Sequence, residues 1–114
     1  MIFIVEDDPF FAKCLERYCK KETRAFSNVV DAISAIDETF PDLIFLDILL
    51  TGPDGFTLLN ELVSYSDTAK IPVVIVSSLD FKDKDLSIYG VVGTLNKDTI
   101  TPKEVKAYVE RYTN

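Results

Sequence analysis

Three carboxylates, Glu6, Asp7 and Asp8, stand directly behind the apolar run IFIV. Other groups able to do chemistry hold the same kind of place further on. Asp47 follows LIFL, Ser77 and Ser78 follow IPVVIV, and Lys97 sits in the triplet NKD. A carboxylate beside an apolar core is costly unless a cation or hydrogen bonds compensate it, so these acids need partners. Carboxylates that converge make an all-oxygen, strongly negative site, which suits a hard divalent cation such as magnesium or manganese. Taken singly, each residue could cap a helix or lie solvated in a loop, the usual fate of an Asp behind a strand. Together they occupy four predicted strand ends.

The elements that would carry these groups are legible from periodicity. Continuous apolar runs at 2–5, 43–46 and 71–76 have the pattern of strands buried on both faces. Between them apolar residues recur at helical spacing over 9–20, then over 29–39 up to Phe40-Pro41, and over 56–64 behind Gly55. TPKE predicts the start of a last helix, with Thr101 as cap, Pro102 in the first turn and Glu104 closing a capping box. A short strand at 23–26, a short helix at 82–89 and a strand at 94–96 complete the expectation. Asp8 precedes Pro9 and reads as an N-cap, which leaves Glu6 and Asp7 for the strand-end cluster. Five strands alternating with five helices imply an α/β fold, a doubly wound parallel sheet with helices on both faces. Ligands of such sheets bind beyond the carboxyl ends of the strands.

Composition narrows the function classes. The chain has 114 residues, 47% of them hydrophobic, and the net charge is -7. One domain over 1–114 is expected, and the negative charge argues against direct nucleic-acid binding and against docking on anionic lipid. Cys14 and Cys19 are five apart on one predicted helix, point to different faces and read as reduced thiols. No leader or apolar run of membrane-spanning length is legible, so the expected location is cytoplasmic.

In order and spacing, IFIVEDDP, DLIFLDILLTGPDG, IPVVIVSS and the NKD lysine resemble the receiver (response-regulator) domain family across essentially the whole chain. Thirty positions separate Asp47 from Ser77 and twenty separate Ser77 from Lys97. The resemblance implies strand order 2-1-3-4-5 and a phosphoryl group accepted onto Asp47. It also implies Mg2+ (or Mn2+) held by Asp7, Asp47 and the backbone carbonyl of Leu49, with Glu6 acting through water. Lys97 would supply the fixed ammonium and Ser77 the hydroxyl that follows the phosphoryl group. A sensor histidine kinase or phosphotransfer protein would be the donor. A downstream protein would read the surface of the fourth helix, fifth strand and fifth helix. The chain itself would act as a switch rather than an enzyme, as a monomer or weak dimer.

Several positions depart from the family pattern. Thr94 stands where the family usually has an aromatic that moves with the Ser/Thr. Thr51 replaces a common proline, and Asp98 stands where proline is frequent, leaving the isomer of that bond open. Leu49 and Leu79, each two residues beyond Asp47 and Ser77, imply slow self-dephosphorylation. Three alternatives are disfavoured. A haloacid-dehalogenase phosphatase needs a second Asp where DILLT has Leu49, a flavodoxin-like carrier needs a phosphate loop after the first strand, and GxxxxGK[ST] is absent. A receiver-like module that binds a partner without being phosphorylated is the remaining rival, and Thr94 motivates it.

Overall fold

The computed structural model describes residues 1–50, 52–81 and 84–113. Its central sheet is built from β1 (Ile2–Val5), β2 (Thr23–Phe26), β3 (Leu43–Leu46), β4 (Val73–Ser77) and β5 (Val91–Asn96). All pairings are parallel, in the order β2-β1-β3-β4-β5. Helices α1 (Pro9–Cys19), α2 (Val29–Glu38), α3 (Gly55–Val63) and α4 (Pro102–Tyr112) make the connections or close the chain. The alternating side chains of the strands feed two cores. Phe3, Val5, Ile44, Leu46, Val73 and Ile75 meet α2 and α3. Ile2, Ile4, Leu43, Phe45, Val74 and Val76 meet α1 and α4. A strand buried on both faces has no polar side, which is why the sequence shows unbroken apolar runs there.

Local chemistry sets the helix ends. Asp8 Oδ1 accepts from the Phe10 amide at 3.0 Å, so Asp8 is a cap, and Lys20 ends α1 in the left-handed region. Asn28 and Asp54 cap α2 and α3 in the same way. Thr101 and Glu104 form the reciprocal capping box expected of TPKE. Both cysteines are free, and burial, with Glu16 nearby, pushes the Cys19 thiol up to about 12, which keeps it an inert core group.

Three expectations need correction. A helix over 82–89 does not form among the described residues. Lys82 and Asp83 lie outside them, 84–86 is not helical, and only a 3-10 turn follows at Ser87–Tyr89. Asp85 Oδ1 accepts from both the amide and the hydroxyl of Ser87, a local bond that competes with helix formation. Gly90, at φ 79°, then ends the turn. The described residues therefore contain four α-helices rather than five. The last strand begins at Val91 instead of Thr94, running through Gly93. Tyr108 explains that glycine, because a Cβ on residue 93 would lie 1.9 Å from the Tyr108 hydroxyl. The strand expected at 71–76 starts at Val73, after Pro72, which has no N–H to give a ladder. No cis peptide bond occurs among the described residues, and Thr51 lies outside them.

Candidate functional site

The carboxyl ends of β1, β3, β4 and β5 bring the polar strand-end residues together. The Asp47 amide donates to the carbonyl of Val5 at 3.0 Å, tying the end of β3 to that of β1. The Lys97 amide donates to the carbonyl of Ser77 at 3.0 Å, tying β5 to β4. These backbone bonds extend the ladders one step past the strands and seat Asp47 and Lys97 on a rigid frame.

Lys97 Nζ donates to Asp47 Oδ2 at 2.9 Å and also lies against Glu6 Oε1. Its ammonium sits 4.8 Å from the centre of the Phe11 ring, a cation–π contact that holds it from the α1 side. Phe11 carried no mark in the sequence beyond its helical spacing, which any core aromatic shares. The other oxygen of Asp47 accepts from the Leu49 amide at 3.0 Å, and Glu6 Oε2 accepts from the Asp8 amide at 3.2 Å. Ser77 is fully buried, with Oγ accepting from the Leu79 amide at 3.2 Å. Leu49 and Leu79 are both about half exposed beside these groups. Thr94 lies lower on β5, paired with Ile75, and shares a groove with Tyr108 and Arg111 of α4.

Glu6 is the least comfortable of these groups. Burial, only partly relieved by Lys97 and the Asp8 amide and opposed by the nearby Asp47 charge, pushes its carboxyl up to about 7. Oε1 is buried and makes no hydrogen bond of good geometry, so the Lys97 ion contact alone offsets it. Lys97 loses by burial but gains more from the two carboxylates, and its pKa is held above the ordinary value. One carboxylate oxygen each from Glu6, Asp7 and Asp47 lies within 4.8 Å of the others. Three hard oxygen donors that share a single ammonium leave an excess of negative charge, which fits a divalent cation.

The sign of the Glu6 shift gives a pH dependence. Its folded value lies above the 4.5 of the free side chain, so between these values the folded protein binds the extra proton. Without divalent cation, stability should rise as pH falls through about 7 and the gain should be complete near 4.5. Thermal unfolding at a series of pH values checks this, and Glu6→Gln should flatten the slope in that window. A wild-type melting temperature that falls on acidification through the window would contradict the assignment.

The family model described as response regulator receiver domain matches residues 2–110. The transcriptional regulatory protein BaeR of Escherichia coli O6:H1 is 38% identical over 80 residues, covering 68% of this chain and 32% of BaeR. Protein Rrf1 of Nitratidesulfovibrio vulgaris is 29% identical over 113 residues, covering 96% of this chain and 80% of Rrf1. The chain spans about a third or less of the length of the first curated relatives it matches. Among solved structures, the receiver domain of NtrX from Brucella abortus superposes with a TM-score of 0.84 at 26% identity, over 98% of this chain and 97% of that one.

Proposed function

The chain belongs to the response regulator receiver domain family, and from that premise we propose that Asp47 accepts a phosphoryl group from a phosphohistidine donor and thereby switches a protein-binding surface. The observation that carries the reading is the Lys97–Asp47 contact of 2.9 Å between residues 50 apart in sequence, beside Glu6 and Asp7. A carboxylate oxygen of Asp47 attacks phosphorus, the P–N bond to the donor imidazole breaks, and its electron pair leaves with the ring nitrogen. The product is an acyl phosphate. Lys97 holds its ammonium where charge gathers on the phosphoryl oxygens, a positioning role with no covalent chemistry. Glu6, Asp7, Asp47 and the Leu49 carbonyl would hold magnesium or manganese, which supplies further charge compensation when bound.

The modified residue carries about two negative charges and three acceptor oxygens. Ser77 Oγ already accepts from Leu79, so its O–H is left to donate to a phosphoryl oxygen. Movement of Ser77 and its loop then alters the face made by the Ser87–Tyr89 turn, β5 and α4. In this reading a histidine kinase or phosphotransfer protein in the cytoplasm is the donor, and a downstream protein is the reader. Receiver domains are in general signalling modules rather than enzymes, and the chain's own chemistry is limited to gaining and slowly losing its phosphoryl group.

Incubation with magnesium and a small phosphodonor, followed by intact mass measurement, tests the reading. One added phosphoryl group that is absent from Asp47→Asn supports it. No addition to either protein favours the unphosphorylated binding module that Thr94 suggests, and continuous phosphate release from unrelated esters favours a phosphatase. Loss of the label should also be slow. Leu49 and Leu79, both about half exposed, occupy positions that in this family influence the access of attacking water, so the isolated phosphoprotein should outlast several minutes when its mass is followed over time. Loss within that time would count against their shielding role.

A further inference from the structure

The groove between α2 and α3 has a chemistry that the phosphoryl site does not use. Ile33, Ile36, Leu58 and Leu62 give it an apolar floor, and Tyr65, 60% exposed, stands at one side. Asp37 and Glu61 line it as well, and among the described residues neither forms an ion pair. Val30, also 60% exposed, extends the apolar stripe along α2, because 30, 33 and 37 share one helical face.

The charge around this groove is one-sided. Residues 25–69 contain no lysine or arginine and eight carboxylates. The chain's cations are elsewhere, many of them on α1 and α4, including Lys13, Arg17, Lys103, Lys106 and Arg111. The acids of the α2–α3 face therefore have no cation in their own segment, Arg24 and Lys70 only flank it, and the charge there is predominantly negative.

We propose that this groove docks a basic amphipathic helix of a partner protein, with one large apolar side chain laid across Ile33 against Tyr65 and a lysine or arginine reaching Asp37 and Glu61 on either side. Helix-in-groove binding uses this combination of apolar anchor and flanking charge, and charge complementarity supplies the selectivity. The groove is a shallow depression of only about 20 Å3, far below the roughly 300–1,000 Å3 of pockets that enclose small ligands, so it suits a partner side chain laid across its surface better than a free metabolite. A second copy could offer Phe10 beside Lys13, but such a head-to-tail contact is not the self-complementary one that a two-fold dimer needs. The proposal goes beyond the phosphoryl reading and does not depend on it.

A randomised peptide display library selected on the wild-type protein, with Ile33→Ser/Tyr65→Ala as counter-selection, provides the test. Enriched peptides should share a leucine- or phenylalanine-like anchor between basic residues. Their binding should weaken by at least about tenfold in Tyr65→Ala and in Asp37→Asn/Glu61→Gln, and be unchanged in Asp47→Asn. Should the counter-selection protein fail to fold, the exposed Tyr65→Ala replaces it. An acidic or uncharged consensus, binding indifferent to these substitutions, or self-association of the chain through this face would overturn the proposal. Because Asp47→Asn abolishes phosphorylation but not docking, failure of one reading is distinguishable from failure of the other.

Discussion

Lys97→Ala should cut the rate of phosphorylation by small phosphodonors by about 10²- to 10³-fold, the usual cost of losing one fixed electrostatic group from a reacting centre. The same substitution should destabilise the cation-free protein by about 2–4 kcal/mol. It leaves Glu6 and Asp47 buried without their shared ammonium, and a lone buried charge costs more than a pair gains. The cost stays at the lower end because Glu6, whose carboxyl is already pushed up to about 7, can take a proton. Magnesium should restore part of the stability and little of the phosphorylation. Denaturant unfolding with and without magnesium, alongside the phosphorylation time course, separates these effects. A variant that loses neither stability nor rate would show that the 2.9 Å contact has no function.

Gly55→Ala is the second large effect, and space rather than backbone angle sets it. A Cβ there would lie 2.8 Å from the carbonyl oxygen of Asp47, the Cα of Ile48 and the Cδ1 of Ile48. Two of these atoms are backbone in the segment that presents Asp47, and the Gly55 amide donates to the Ile48 carbonyl at 3.0 Å. The two backbone atoms cannot rotate away, so the segment must shift, at a cost of about 2–4 kcal/mol. Phosphorylation should fall with it, because the loop carrying Asp47 and the Leu49 amide moves. Gly93→Ala offers the contrast. Its nearest obstacle is the far end of the Tyr108 side chain, which can swing aside, so the loss there should be smaller. Urea unfolding of the two variants checks the order, and equal losses would mean that Asp47 and Ile48 are not held as tightly as the contact implies.

The contrast between these glycines shows what could be read from the sequence and what could not. The strand-end position of Asp47 and Ser77 was legible because parallel strands buried on both faces write themselves as apolar runs, and the residue after each run must lie at the sheet's carboxyl end, whereas Lys97 follows the half-exposed edge strand β5 and was marked by the family resemblance of NKD. The α4 boundary was legible because capping is local chemistry. The strand expected at 94–96 was too short because Gly93 lies inside it, and the side chain packed over that glycine, Tyr108, is fifteen positions away on α4. The helix expected over 82–89 failed for a related reason. Its apolar residues do not fall on one face, Ile88 is 77% exposed, and the Asp85–Ser87 bond is invisible to hydrophobic periodicity. At the site, the acids could be found by type and place, but the Lys97 contact with Glu6 and the Phe11 ring beneath the ammonium depend on packing across α1 and β5. Only three-dimensional placement supplies those.

Borohydride reduction converts an aspartyl phosphate to homoserine, so peptide sequencing after treatment with phosphodonor and reductant locates the modified carboxylate. Homoserine is expected at position 47 and at no other aspartate. Homoserine at position 7 or 8, or none at all, would contradict it.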